Sequence, residues 1–476
     1  MKNTLQFPQD LSRSVRMITV ALLALSLAVC AQAQTFYYFA VFNGANGSGP
    51  SKVIQATDGN FYGTSADAGA SHPGNVFRIT PAGEITSIYD FCSKPHCADG
   101  AAPTTAPVLG SDGNLYGVTF SGGANNGQGG WGTVYKMTLG GQITTLYNFC
   151  NVAPCLDGAS PTGIIQGGDG SLYGTTSGGG QFGAGTLFKI SQTGEFTLLH
   201  AFCSLANCAD GRQPNFPPIQ GSDGNFYGTT SGGGTNGGGG GVVYTLTQAG
   251  IFNAIYTFRC AGEPCPKGYD PTTVVQDAKG NLLGTTFFGG ANQQGLVFEI
   301  TPTHQFHILH SFTYGDESGP GGLILANDGN LYGTTEGIDG FGTIFEVTPE
   351  RVYTTLHNFG VKGGYNPGGL FQAPTGNFYG PAAYGNNGTI FSLSNGLSPL
   401  VETVPVAGKV GQSVIIVGNG LTGSTRVTFN GVEAAFTVKS DTYIKATVPA
   451  GATTGTVSVS TPSGTLNSNP QFVVTK

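Results

Sequence analysis

One ten-residue phrase, Gly221-Ser222-Asp223-Gly224-Asn225-Phe226-Tyr227-Gly228-Thr229-Thr230, returns along most of the chain. Its aspartate recurs at Asp58, Asp112, Asp169, Asp277 and Asp328. Its central glycine recurs at Gly59, Gly113, Gly170, Gly280, Gly329 and, without the aspartate, Gly376, giving steps of 54, 57, 54, 56, 49 and 47 residues. A period of this size marks a supersecondary unit that cannot bury its apolar face alone and must lean on its neighbours, as in a propeller or a solenoid. The fold is therefore constrained far more tightly than the chemistry.

Residues 161–202 show what one unit contains. Four short apolar or alternating runs are divided by turn signals, which predicts four strands, a to d, with no helical periodicity in competition. Asp-Gly between a and b supplies the positive φ of a tight hairpin, and a glycine such as Gly194 does the same between c and d. The b to c connection is glycine-rich. The seventh unit ends on strand c, Thr389-Ile390-Phe391-Ser392-Leu393, with no strand d after it, while residues 35–42 precede the first complete unit and end in the aromatic pattern of strand d. Pairing these two ends in one sheet removes the edges a solenoid would have to cap, so the reading is all-β: a closed seven-bladed β-propeller completed by the N-terminal strand.

Cysteine usage and the first residues bear on where the protein works. Lys2, Arg13 and Arg16 precede the apolar run 17–29, and Ala31-Gln32-Ala33 offers a cleavage site, so residues 1–33 read as a signal peptide. A lipoprotein box ending at Cys30 is the second reading. The other eight cysteines form four C-x4-C pairs, Cys92 with Cys97, Cys150 with Cys155, Cys203 with Cys208 and Cys260 with Cys265. An oxidising compartment makes these local disulfides; a four-thiolate zinc site is the alternative. The protein is expected to be secreted or on the cell surface. No later apolar run is long enough to span a bilayer. With 9% charged residues, a net charge of -7 and no basic cluster, the chain shows no electrostatic footprint for nucleic acid.

If strand a is innermost, the b–c and d–a loops share one face, where binding is expected to reside. Candidate contacts there are the unique Trp131, Phe182, Phe288 and Phe341 in equivalent loops, and His72 and His96. Asp99, Asp157 and Asp210 follow the cysteine pairs; an Asp before Gly is a turn former, with calcium the alternative and no other cofactor called for. The tyrosine of the phrase, at Tyr62, Tyr116, Tyr173, Tyr227, Tyr332 and Tyr379, fits packing between blades. His200, His310 and His357 stand where Tyr89, Tyr147 and Tyr256 stand in other copies and read as packing variants. No catalytic residue is assigned, since no nucleophile with a reproducible base is visible.

From about Ser398 the period gives way to short alternating strands that predict a small sandwich. The strand ending in Gly418-Asn419-Gly420-Leu421, the hairpin Phe429-Asn430-Gly431-Val432, and Val448-Pro449 before a Gly-Thr-Val-Ser-Val strand resemble the IPT/TIG immunoglobulin-like family. Gly418-x-Gly420-x-x-Gly423 matches a dinucleotide fingerprint, but no helix follows and Val427-Thr428-Phe429 is another strand. The repeats resemble the GloVer tandem repeats of exported bacterial proteins, through Asp-Gly-Asn-Phe-Tyr-Gly-Thr-Thr and Gly342-Thr343-Ile344-Phe345-Glu346-Val347-Thr348. That resemblance implies an extracellular protein and brings no catalytic residues. The expected organisation is a signal peptide at 1–33, a propeller at 34–397 and an immunoglobulin-like domain at 398–476. The expected function is non-enzymatic binding or adhesion by a monomer, the loop face recognising a polysaccharide or surface protein and the sandwich acting as spacer or second contact. A propeller lyase or hydrolase acting on extracellular polysaccharide, or a structural surface component, are the alternatives.

Overall fold

The computed structural model describes residues 34–475 except 68–72, 125–129, 152, 235–238, 261, 263, 317, 338–339, 362–363 and 386; the expected signal peptide lies outside the described residues. The protein is all-β. Among the described residues there is no α-helix, only two single-turn 3-10 segments, Pro95–Cys97 and Ala206–Cys208.

The repeats form four-stranded antiparallel sheets in the order a-b-c-d. In the third, Ala159–Gln166 pairs with Leu172–Gly178, that strand with Thr186–Ile190, and that with Phe196–Ala201. Six such sheets are contiguous in sequence. A seventh takes Tyr365–Pro367 and Phe371–Gln372 as strand a, Phe378–Tyr384 and Thr389–Ser394 as b and c, and Thr35–Val41 as its outer strand, Thr35 facing Ser394 and Val41 facing Thr389. Strand c is buried on both faces because each sheet is packed between two others, so its residues, as in Thr186-Leu187-Phe188-Lys189-Ile190, are mostly apolar instead of alternating.

The recurring phrase has a physical reason at each position. The aspartate accepts the tyrosine hydroxyl four residues on, Tyr62 to Asp58 at 2.7 Å and Tyr116 to Asp112 at 2.8 Å, and its backbone and side-chain bonds to the following Asn close the turn. In the fifth repeat Lys279 occupies the aspartate position, and Asp277 does the work from two residues earlier, bonding Asn281 Nδ2 at 2.8 Å. The glycine after the tyrosine lies opposite the aromatic residue of strand c, Gly174 opposite Phe188 and Gly228 opposite Tyr244, whose rings cover the space a Cβ would need.

Contacts between sheets follow one rule from each sheet to the next and from the last to the first. Strand a carries a proline that sits on the glycine before strand c of the preceding sheet: Pro161 on Gly132, Pro214 on Gly185, Pro367 on Gly342 and Pro50 on Gly388, where a methyl group would collide with the ring. An aromatic of strand d stacks on its successor, Tyr147 on Phe196, His200 on Phe252, Tyr256 on Phe306, His310 on Tyr353 and His357 on Phe36. The three histidines are thus ring-stacking partners, and Phe36 occupies the strand d place. Apolar clusters fill the gaps between sheets, including one that joins Ala40, Phe42, Tyr379 and Ile390 to Val53, Phe61 and Phe77.

The C-terminal segment is a sandwich of two four-stranded sheets around Val414, Ile416, Val427, Phe429, Ile444, Val457 and Phe472. It is not a spacer. Strand Ser413–Val417 is buried on both sides: Val414 and Ile416 face the sandwich core, while Ile415 and Val417 pack with Ala56, Tyr62 and Leu109 of the first two repeat sheets. Thr442 Oγ1 donates to Thr57 O at 2.7 Å, Asn469 Nδ2 to Leu325 O at 2.8 Å and Asn327 Nδ2 to Ser398 O at 2.8 Å. All of these contacts fall at a–b turns, so the sandwich lies on the turn side of the repeat sheets.

Candidate functional site

The other end of each sheet carries the b–c and d–a connections. Register shows this directly, since the start of strand a faces the end of strand b, Tyr269 opposite Phe288, and the start of strand c faces the end of strand d, Leu296 opposite Ser311. Four of the loops on this side are stapled. Each of the four cysteine pairs closes within its own loop, Cys92–Cys97, Cys150–Cys155, Cys203–Cys208 and Cys260–Cys265, leaving no thiolate for zinc.

The aspartates after the first three pairs hold these loops from within. Asp99 Oδ2 accepts Tyr89 Oη at 2.7 Å, Ser93 N at 3.0 Å and Ser93 Oγ at 2.8 Å, while Oδ1 accepts Lys94 N at 3.2 Å. Asp157 accepts Tyr147 Oη and Asn151 N; Asp210 accepts Ser204 N and Oγ and bonds His200 Nε2 at 2.9 Å. All three are buried, with their oxygens turned to loop donors. Burial on its own would raise Asp99 and Asp210; the converging donors outweigh it and hold both below the usual carboxylate range. Burial pushes His200 down, which keeps a neutral imidazole beside Asp210. Among the described residues no three His, Cys, Asp or Glu side chains gather in a way that could hold a metal ion.

Seven residues, each just before a strand a proline, line this side: Gly49, Ala102, Ser160, Gln213, Asp270, Gly319 and Asn366. All are left-handed, with φ between 53° and 64°. A residue before proline is normally extended, and five of these are not glycine. The strain is held by bonds across sheet boundaries: Ser160 N to Trp131 O at 2.8 Å, Gln213 N to Ala184 O at 2.7 Å, Asn366 N to Phe341 O at 3.1 Å and Gly49 N to Asn387 O at 3.1 Å. Asp270 belongs to this belt, and burial pushes its carboxyl up to about 6. The sequence reading did not single it out, although a residue before proline in every repeat is a visible signal.

The aromatic candidates divide. Trp131, Phe182 and Phe288 are 50%, 46% and 40% exposed on three different b–c connections and do not stack on one another. Phe288 instead stacks on its cross-strand partner Tyr269, at 5.1 Å, and the same device recurs in the seventh sheet, where Tyr365 stacks on the exposed Tyr384 at 5.9 Å. Phe341 is not available as a contact: it is partly buried against the sixth and seventh sheets, its ring edge-on to Tyr365. His96 is exposed at the tip of a cysteine loop with φ 57°, and His72 lies outside the described residues. The result is a set of exposed rings on the loop side of three different sheets. Such rings can stack against flat apolar faces.

Comparison with known proteins agrees with the repeat pattern. Residues 26–239 and 213–432 match the family model described as the Gloeobacter/Verrucomicrobia repeat, and residues 399–474 match that of the IPT/TIG domain. No curated protein matches. Among solved structures, similarity extends to a glucose dehydrogenase-type oxidoreductase of Thermus thermophilus (14% identity, 76% of this chain, 100% of that one, TM-score 0.40) and to TolB of Acinetobacter baumannii (10%, 73%, 80%, 0.36). At these values the likeness says nothing of chemistry.

Proposed function

The chain belongs to the Gloeobacter/Verrucomicrobia repeat family and carries a C-terminal IPT/TIG domain, and from that premise we propose that its repeat sheets form a closed seven-bladed propeller whose loop side binds carbohydrate outside the cell. Closure is supported by contacts of the last sheet with the first: Pro50 on Gly388, Gly49 N to Asn387 O, and the shared cluster around Phe42 and Phe77. Four disulfides suggest an oxidising extracellular environment, and among the described residues no helix is long and apolar enough to cross a membrane.

The observation that carries the binding reading is the exposure of Trp131, Phe182 and Phe288 at the loop end of three different sheets. Large rings left in water on a rigid scaffold gain by covering an apolar face, and the C–H faces of sugar rings supply one without a deep pocket. Binding of the full chain to an array of polysaccharides is the test. Trp131→Ala is expected to weaken the best ligand about tenfold, the effect of losing one aromatic anchor, with the melting temperature unchanged. An array with no ligand removes the carbohydrate class.

A further inference from the structure

The cysteine loops reach beyond themselves. In each of the four pairs the carbonyl of the second cysteine accepts two backbone N–H groups, one from the glycine that ends its own loop and one from the b–c connection of the next sheet. Cys97 O takes Gly100 N and Gly123 N, both at 2.8 Å, and Cys155 O takes Gly158 N at 3.0 Å and Gly180 N at 2.9 Å. Cys208 O takes Gly211 N at 2.9 Å and Gly234 N at 2.7 Å, and Cys265 O takes Gly268 N at 3.0 Å and Gly290 N at 2.9 Å. The donor from the b–c connection is always the second of two consecutive glycines, and the first allows the approach. A Cβ on Gly122 would lie 2.8 Å from Cys97 O, one on Gly233 2.8 Å from Cys208 O and one on Gly289 2.6 Å from Cys265 O. This is the physical reason for the glycine pair that follows the repeated phrase.

Three of these connections carry an exposed ring close to the bond. Phe288 directly precedes Gly289-Gly290, and Phe182 lies in the turn that Gly183 N closes on Gly180 O at 3.1 Å. Trp131 is paired with Gly122 by an isolated bridge, and Gly132 N bonds Gly122 O at 2.9 Å. A half-exposed ring is placed by packing on one side at most, so the rest of its placing has to come from the backbone that carries it. The sixth sheet makes the contrast: Gly337 N bonds Ser318 O at 3.0 Å with no cysteine in the loop, and its ring, Phe341, is packed against neighbouring sheets. In the first three pairs both cysteines are left-handed, with φ between 51° and 67°, a conformation that a residue with a Cβ seldom keeps without a constraint. The buried aspartates act on the first half of each loop, at Ser93, Asn151 and Ser204, and in the fourth pair Lys267 stands in the aspartate's place. It is therefore the bridge that ties down the second cysteine.

We propose that three of the bridges are positioning devices for the ring-bearing surface: Cys92–Cys97 sets the place of Trp131, Cys150–Cys155 that of Phe182 and Cys260–Cys265 that of Phe288, each through the second cysteine's carbonyl and a glycine pair. A chain with these bridges unformed keeps its sheets and loses its binding surface. This rests on the binding reading for its use and on the hydrogen bonds for its geometry.

Trp131 is the chain's one tryptophan, so its fluorescence reads one of these loops without any ligand. The test uses the full chain. In Cys92→Ser combined with Cys97→Ser, the amide of Gly123 is expected to exchange about tenfold faster, the loss of one hydrogen bond's protection. Trp131 emission is expected to lose anisotropy and to be quenched more readily by acrylamide, while exchange along Thr133–Met137 stays as in the wild type and shows the sheet to be intact. Cys203→Ser combined with Cys208→Ser, whose bond goes to Gly234 of the fourth sheet, is the control and leaves Trp131 unchanged. Gly122→Ala keeps the bridge and pushes the b–c connection off Cys97 O; it is expected to reproduce the Trp131 change, and it decides alone should the cysteine variant fail to fold. Unchanged Gly123 exchange and Trp131 anisotropy in either variant that folds overturns the proposal, as does an equal change in the control. Polysaccharide binding plays no part in these readings, so a blank array removes the carbohydrate reading, whereas an unmoved Trp131 removes the positioning role.

Discussion

Asp210 shows how a single side chain can be worth more buried than exposed. Its carboxyl accepts bonds from Ser204 N, Ser204 Oγ and Leu205 N and pairs with His200, so its charge is solvated by the loop it organises. The folded carboxyl lies below its ordinary range, so its stabilising contribution is full at neutral pH and is lost as pH falls through the carboxylate range toward the folded value. Asp99 follows the same logic. Asp210→Asn keeps the shape and removes the charge; it is expected to cost about 1–3 kcal/mol and to flatten the acid limb of a plot of melting temperature against pH. The sequence reading placed the ring of His200 correctly, as a replacement for Tyr89 and Tyr147. It missed the bond, although the same ten-residue step joins Tyr89 to Asp99, Tyr147 to Asp157 and His200 to Asp210. Trp131 lies exposed among its glycines, as its place in the sequence suggested, whereas Phe341 is partly buried because Tyr365 comes to lie beside it, which sequence cannot tell.

At the level of strands, a glutamine at the end of strand a links neighbouring sheets. Its amide donates to the turn glycine of its own sheet, Gln166 to Gly170 O and Gln220 to Gly224 O, while its oxygen accepts a backbone N–H from the sheet before, Ser111 N to Gln166 and Gly168 N to Gln220, both at 2.8 Å. At the boundary between the last and first sheets the donor position is Pro374, which has no N–H, and Gln55 Oε1 is buried without a partner. Pro374→Ala is therefore expected to stabilise. Satisfying a buried acceptor gains about 1–3 kcal/mol against the 0.4–1 kcal/mol that proline contributes through the unfolded chain, a rise of about 1 °C or more in melting temperature. Strand number and order could be read from the period and the turn residues. Docking of the sandwich had a weaker signal, the unbroken apolar run Val414-Ile415-Ile416-Val417, where a one-sided strand would alternate. It went unread because an apolar run does not say what covers its second face.

For the whole molecule, the seventh sheet decides integrity, since Thr389–Ser394 has its outer partner in Thr35–Val41. A chain lacking residues 34–42 is expected to expose that edge and to associate or aggregate, measured by light scattering after size exclusion, and a synthetic peptide of residues 35–42 is expected to restore the single species. A variant that stays monomeric with an unchanged melting temperature would show the strand to be dispensable. The same pairing has a temporal side. The two partners stand about 350 residues apart in the chain, so at a synthesis rate of about 5–20 residues per second the first strand spends some tens of seconds with nothing to hold it. During that interval Phe36-Tyr37-Tyr38-Phe39 is a bare adhesive ribbon, and whatever shields it while the ribosome finishes decides how much of the protein is ever made whole.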